Sequence, residues 1–285
     1  MESFCYADRY TETRVLEETE YQRLVEVAEN ATGEQYLCRQ ILLKDYTTKA
    51  VDRCIEEVTL ATQVDSPFFA KVVAATYEPK LKRISVITEP LPLGSLHDYI
   101  YGLDEDQFVP EEECWRLMAC ILQGISQLHY FEPFKDLSRR VSRSIIHRYV
   151  LPRRIFLTGE GTCKLLDIGW ARDLLPSEGK VEYIQGTLQY YPPEVVNQDV
   201  YTCAVDIFEL GCTMYELLTK KVLLDDEPDF PMTALEKIQL PLFIPHYSKK
   251  LVDTVNSMLT MDDKKRPTVT QLLKITQVAN AISGR

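Results

Sequence analysis

The apolar pattern of this chain changes period once, at Pro90-Leu91-Pro92-Leu93-Gly94, and that change limits the fold more than any other feature. Before it, short runs rich in β-branched and aromatic residues are separated by turn residues. Arg14-Val15-Leu16, Leu24-Val25-Glu26-Val27 and Gln35-Tyr36-Leu37-Cys38-Arg39-Gln40-Ile41 read as strands, with Ala31-Thr32-Gly33-Glu34 as the turn joining the last two. A helix is predicted over about 48–64, stopped by Ser66-Pro67, with further strands near 71–77 and 84–88. After the switch, apolar residues recur at steps of three and four. The clearest helix carries Cys114, Leu117, Met118, Ile121, Leu122, Ile125 and Leu128 on one stripe, and the chain enters it through Pro110 and three glutamates. Helices are also predicted over 204–219, 249–259 and 269–282. No repeat or low-complexity linker interrupts this order. It predicts an α+β fold and a single domain over 1–285, with a small β-rich lobe over about 1–89 and a larger helical lobe over about 90–285.

A chain of 285 residues can bury a large core, and 45% hydrophobic with 26% charged residues is the balance of a soluble globular protein. The net charge of −11 argues against a nucleic-acid binder or a polybasic membrane protein. The opening residues Met1-Glu2-Ser3-Phe4-Cys5-Tyr6-Ala7-Asp8 lack the apolar core of a signal peptide, and Glu2 excludes lipidation at a second-position glycine. No apolar run is long enough to span a bilayer. The eight cysteines include no C-x-x-C pair, and several lie among apolar neighbours. Buried reduced thiols in a cytoplasmic protein are expected, rather than disulfides or zinc ligands.

Chemistry concentrates in Ile146-His147-Arg148-Tyr149-Val150-Leu151-Pro152-Arg153-Arg154-Ile155-Phe156-Leu157. It is followed in order by Asp167-Ile168-Gly169, Gly186-Thr187, Pro192-Pro193-Glu194, Asp206, Gly211 and an arginine before proline, Arg266-Pro267. These motifs and their order resemble the eukaryotic protein kinases over about residues 10–275. Ala31-Thr32-Gly33-Glu34-Gln35-Tyr36, the Ile155-Phe156-Leu157 strand and the short ending of the helical lobe most resemble the NIMA-related serine/threonine kinases.

The resemblance implies a bilobal kinase fold and assigns roles. Glu57 takes the helix position that pairs with a strand lysine, a lysine replaced here by Arg39. Thr88 is the gatekeeper and Glu89-Pro90-Leu91 the hinge. Leu16, Leu24, Leu37, Leu91 and Phe156 fall at nucleotide-pocket positions. Asp167 is a candidate metal ligand, though a turn aspartate that only caps local amides is an equal reading. His147, Arg148, Glu194, Asp206 and Arg266 are structural positions. Ser177, Tyr183 and Thr187 lie in the activation segment, where polar surface is the plainer reading of a loop hydroxyl.

The departures from the family pattern fall on chemistry. A catalytic loop needs an aspartate base, a lysine and a metal-binding asparagine, and this chain has Tyr149, Leu151 and Arg154. A phenol, with an ordinary pKa near 10, is a poor base at neutral pH. The glycine-rich loop reads Leu16-Glu17-Glu18-Thr19-Glu20-Tyr21-Gln22-Arg23-Leu24, without one glycine, and brings acid towards a polyanion. Arg39 keeps a positive charge, but its rigid fork does not reproduce an ammonium on phosphates. A permanent structural ion pair with Glu57 is the expectation.

A pseudokinase that scaffolds or allosterically regulates signalling partners is therefore expected, with no functional catalytic residue and no cofactor. Two alternatives stay open. One is a divergent ATP-dependent serine/threonine kinase of weak activity, using Asp136 as base and Asp167 for magnesium. The other binds ATP without transferring phosphate. Six arginines and no acid occupy residues 139–154. Arg139, Arg140 and Arg143 suggest docking of an acidic or phosphorylated protein segment. A solvated face that neutralises the chain's own Asp104-Glu105-Asp106 or Asp225-Asp226-Glu227 is an even alternative. Neither nucleic acid nor membrane is an expected partner, and the resemblance implies a cytoplasmic, cytoskeleton-associated setting.

Overall fold

The computed structural model describes residues 4–44, 46–62, 64–130, 144–158, 162–166, 172–174, 188–197, 201–223 and 244–284; for Arg53, Glu57, Leu60, Ser144, residues 172–174 and Leu188 it describes the backbone alone. The chain forms two compact units, one of residues up to Leu93 together with 166–170, and one of Gly94–Leu165 together with the residues from 171 on.

In the first unit a short helix, α1 (Tyr6–Arg9), leads into β1 (Tyr10–Glu18), β2 (Gln22–Glu29) and β3 (Gln35–Leu42), then α2 (Thr48–Ala61), β4 (Val72–Glu78) and β5 (Arg83–Thr88). The strands form one antiparallel sheet in the order β1-β2-β3-β5-β4. Gly33, at φ +74°, makes the reversal between β2 and β3, a conformation that costs glycine little. β3 is the central strand and is buried along most of its length. One face of the sheet packs Val25, Val27, Cys38, Ala74 and Ile87 against Tyr6 and Tyr10, with Phe4 and Tyr36 alongside. Thr76 Oγ1 donates to the Phe4 carbonyl at 2.9 Å, and the Arg83 guanidinium lies 4.8 Å from the Tyr6 ring centre. Phe4, Tyr6 and Tyr10 thus pack into this core, while Cys5, Ala7, Asp8 and Arg9 are exposed. The first strand begins four residues earlier than its sequence pattern predicts, because β1 is an edge strand with Thr11 to Val15 exposed and no alternation to read.

The second unit opens with α3 (Leu96–Tyr101), closed at its start by a reciprocal capping box between Ser95 and Asp98. Helix α4 (Glu111–His129) follows, entered through Pro110 as expected, with every residue of the predicted stripe buried. Each such side chain contributes roughly 1.5–3 kcal/mol on leaving water. Then come β6 (Ser144–Ile146), a 3-10 turn at Pro152–Arg154, β7 (Ile155–Thr158), β8 (Thr162–Leu165) and β9 (Arg172–Leu174), with β6 paired to β9 and β7 to β8. The remaining helices are α5 (Pro193–Val196), α6 (Ala204–Thr219), α7 (Lys249–Met258), α8 (Val269–Leu273) and α9 (Thr276–Ser283). α6 packs on both α4 and α7. A Cβ at Gly211 would lie 2.8 Å from Leu259 Cγ, so glycine there permits the close approach.

The single helix predicted over 269–282 is two helices. Ile275 is extended, at φ −63° and ψ 129°, and starts α9 after α8 has ended at Leu273. Two adjacent β-branched residues, Ile275 and Thr276, sit at the break, and the change of direction lets the fully buried Val278 join the face that α9 packs on α4. Six of the eight cysteines are buried. Among the described residues no helix is long and apolar enough to cross a membrane.

Candidate functional site

Helix α6 is apolar over most of its length, but Asp206, Glu209 and Thr213 break it at steps of three and four, which aligns them on one side. All three reach the segment that follows β6. Asp206 accepts from the His147 amide at 2.9 Å and the Arg148 amide at 2.8 Å, and its Oδ2 lies 2.8 Å from His129 Nε2. Glu209 Oε2 accepts from the Val150 amide at 2.9 Å, and Thr213 Oγ1 donates to the Val150 carbonyl at 2.6 Å. His147 Nδ1 accepts from the Tyr149 amide at 3.2 Å. These bonds hold Arg148 at φ +65°, a left-handed conformation that costs a non-glycine residue roughly 1–2 kcal/mol.

The segment so fixed contains the sequence-predicted catalytic-loop positions. Tyr149 is 6% exposed, Leu151 6% and Arg154 3%, so a phenol, an isobutyl group and a guanidinium are all packed inside. The 3-10 turn at Pro152–Arg154 closes with the Arg154 amide donating to the Leu151 carbonyl at 2.8 Å. Phe156 is buried on β7 and bridges to Ser95. Burial pushes the neighbouring Tyr191 phenol up, and the Tyr149 phenol adds to the shift. Burial also pushes the Asp206 carboxyl up, but the His129 hydrogen bond and charge, with His147 and the Arg148 amide, outweigh it and hold the group below the usual range. Glu209 lies well above that range, through burial first and the charge of Asp206 second. Tyr190 donates to Glu216 Oε2, a second buried acid of α6.

The structural pair expected at Glu194 and Arg266 forms a fork-to-fork contact, with Arg266 Nη1 2.7 Å from Glu194 Oε1 and Nη2 3.1 Å from Oε2. Arg266 also donates to the carbonyls of Ala204 and Thr260, and its guanidinium lies 5.0 Å from the Phe208 ring centre. α5 and the start of α6 are thereby tied to the turn before α8.

In the first unit, strand register gathers several expected pocket residues on one face. Leu24 lies opposite Arg39, Arg39 opposite Val86, and Leu37 opposite Thr88. Directly opposed residues share a face, and so do residues two apart on one strand, so Leu24, Leu37, Arg39 and Thr88 all point the same way. Each is buried, as is Leu91, while Leu16 on β1 is half-buried. Glu89 pairs with the backbone of Lys71, its Oε1 accepting from the Lys71 amide at 2.8 Å. The β1–β2 turn, at the position of a glycine-rich loop, is closed on itself. The Thr19 amide donates to the Gln22 carbonyl at 2.8 Å, and Thr19 Oγ1 accepts from the amides of Tyr21 and Gln22 at 3.4 and 3.1 Å.

The Glu57 side chain, and with it the expected pairing to Arg39, lies outside the described residues, although Glu57 is on α2. Asp136, Arg139, Arg140, Arg143, Asp167, Ser177, Tyr183 and Thr187 also lie outside them. His129, Glu209, Thr213 and Glu216 were not singled out from the sequence. The available signal was the recurrence of polar residues at 206, 209, 213 and 216 within an otherwise apolar helix.

The protein kinase domain model matches residues 10–276. Human serine/threonine-protein kinase Nek2 is 26% identical over 270 residues, covering 92% of this chain and 58% of the relative. The probable serine/threonine-protein kinase nek2 of Dictyostelium discoideum is 24% identical over 257 residues, covering 89% of this chain and 59% of that protein. Rat rhodopsin kinase GRK1 is 26% identical over 216 residues, covering 75% and 36%. The chain spans less than two thirds of the length of each. With the antiparallel sheet of its first unit, the helical second unit and the ordered kinase motifs, the chain belongs to the protein kinase domain family, with NIMA-related serine/threonine kinases among its relatives.

Proposed function

We propose that this kinase domain has lost phosphoryl transfer and works as a pseudokinase, a scaffold or allosteric partner in cytoplasmic signalling. The observation that carries this reading is the pair of buried side chains at Tyr149 and Arg154. Phosphoryl transfer needs a carboxylate to take the hydroxyl proton and oxygen ligands for magnesium. At those positions the segment offers a phenol and a cation. Loss of a general base lowers a rate by roughly 10²–10⁴-fold, against a family turnover of about 1–100 per second.

ATP and magnesium fit this donor set poorly. The guanidinium of Arg154 is a permanent positive charge where a divalent cation would need an acceptor, and the Thr19, Tyr21 and Gln22 amides are committed to the turn they close rather than open to phosphate. No step is therefore assigned to a nucleotide. A second reading, nucleotide held without transfer, is favoured by Arg39 on a sheet face with Leu24, Leu37 and Thr88.

For partners, the arginine-rich run suits acidic or phosphorylated protein segments at Arg139, Arg140 and Arg143. Reversing these three charges lowers affinity for such a segment on this reading, and unchanged affinity removes it. Thermal unfolding with ATP, with and without magnesium or manganese, separates the nucleotide readings. A ligand at a hundredfold excess over its Kd stabilises the native state by about 2.7 kcal/mol. The pseudokinase reading in its plain form expects no shift, and a metal-dependent shift contradicts it.

A further inference from the structure

Asp206 and Glu209 stand one turn apart on α6, both buried, and together they hold the amides of residues 147, 148 and 150. Two carboxylates so close in a dry interior do not both ionise readily. Their partners decide which keeps the charge. Asp206 faces the His129 ring and two amides, whereas among the described residues Glu209 accepts from one amide, that of Val150.

We propose that Glu209 holds the 147–150 segment as a neutral acid, and that loss of its proton to solvent is a built-in alkaline release of this segment. Burial favours the neutral form, and so do the charge of Asp206 on α6 and, less, the carboxylate of Glu194 from α5, itself paired with Arg266. The buried Cys212 thiol on α6 and the Tyr191 phenol from the segment before α5 also face the group, both uncharged. Arg148 is the cation acting the other way. Desolvation and Asp206 exceed that help, in agreement with the upward shift of the group. A folded-state pKa above the unfolded one gives stability that is complete below the unfolded value and is lost as pH rises through the folded value. The segment affected contains Tyr149 and the left-handed Arg148, so its anchoring answers to pH independently of any activity.

The test compares the thermal unfolding of the full chain and of Glu209→Gln across about pH 6–9, above the range in which a glutamate of the unfolded chain titrates. Glutamine keeps an acceptor for the Val150 amide and cannot ionise. The expected result is a wild-type to variant ratio of unfolding constants that rises with pH, approaching tenfold per unit while the folded chain keeps the proton that the unfolded chain has released. A structural role alone would shift the two curves by a constant factor, and that flat ratio would overturn the proposal. The carboxyl carbon of isotopically labelled Glu209 in the unmodified protein gives a second reading should the variant not fold. A neutral-acid chemical shift at pH 7 supports the proposal, and a carboxylate shift there refutes it.

Discussion

At the level of single residues, the buried ion pair of Glu194 and Arg266 is where a substitution registers most directly. Arg266 is fully buried at its side chain and forks onto Glu194. Removing one partner of such a pair leaves the other charge in the interior, so Arg266→Ala is predicted to cost about 3–5 kcal/mol, measured as the loss in unfolding free energy in urea. Arg266→Lys should recover only part of it, because an ammonium cannot form the fork. A pH-dependent pair joins α4 to α7. Burial pushes Glu111 up, but hydrogen bonds from the Ser248 hydroxyl and amide and from the Trp115 indole bring its carboxyl below the usual range. A depressed carboxyl gives stability present above the unfolded pKa, near 4.3, and lost as pH falls through the folded value. Glu111→Gln is therefore predicted to flatten the acid limb of the stability profile below about pH 4, and an unchanged limb would rule this contribution out. Glu194 and Arg266 were legible because a motif position announces them. Glu209 was not, since its place in an otherwise apolar helix sets it apart without naming the backbone it holds.

Among the elements, α6 organises the second unit: one side holds the 147–150 segment, and Gly211 allows the approach of Leu259. Gly211→Ala gains up to about 1 kcal/mol of helix propensity, but it places a carbon within 2.8 Å of Leu259 Cγ. Overpacking of this kind costs about 1–3 kcal/mol, so a net loss is predicted in a denaturant titration. In the first unit Tyr6 anchors residues 4–10 to the sheet, and Tyr6→Ala is predicted to cost about 3 kcal/mol, as for other buried aromatics. The elements were read from the sequence where amphipathic periodicity was strong, as in α4 and α6. Signals failed where an element was short or exposed: α1 has four residues, β1 shows solvent most of its length, and the break between α8 and α9 depends on how α9 meets α4.

For the whole molecule, family and fold class followed from motif order and from the period change near residue 90, and the kinase domain match over residues 10–276 bears out that family reading. Function is harder to read at this scale, because the same scaffold serves whether or not it turns over ATP. The proposal of lost catalysis depends on particular side chains: Tyr149 and Arg154 inside the 147–154 segment, and a β1–β2 turn whose amides are already bonded. The most direct test is radiolabelled phosphate transfer from ATP, to the chain itself and to a generic protein acceptor, with magnesium and with manganese, run beside Asp167→Ala protein. The account predicts incorporation no greater for the unmodified chain than for the variant. Incorporation well above the variant, abolished by removal of the Asp167 carboxylate, would contradict it.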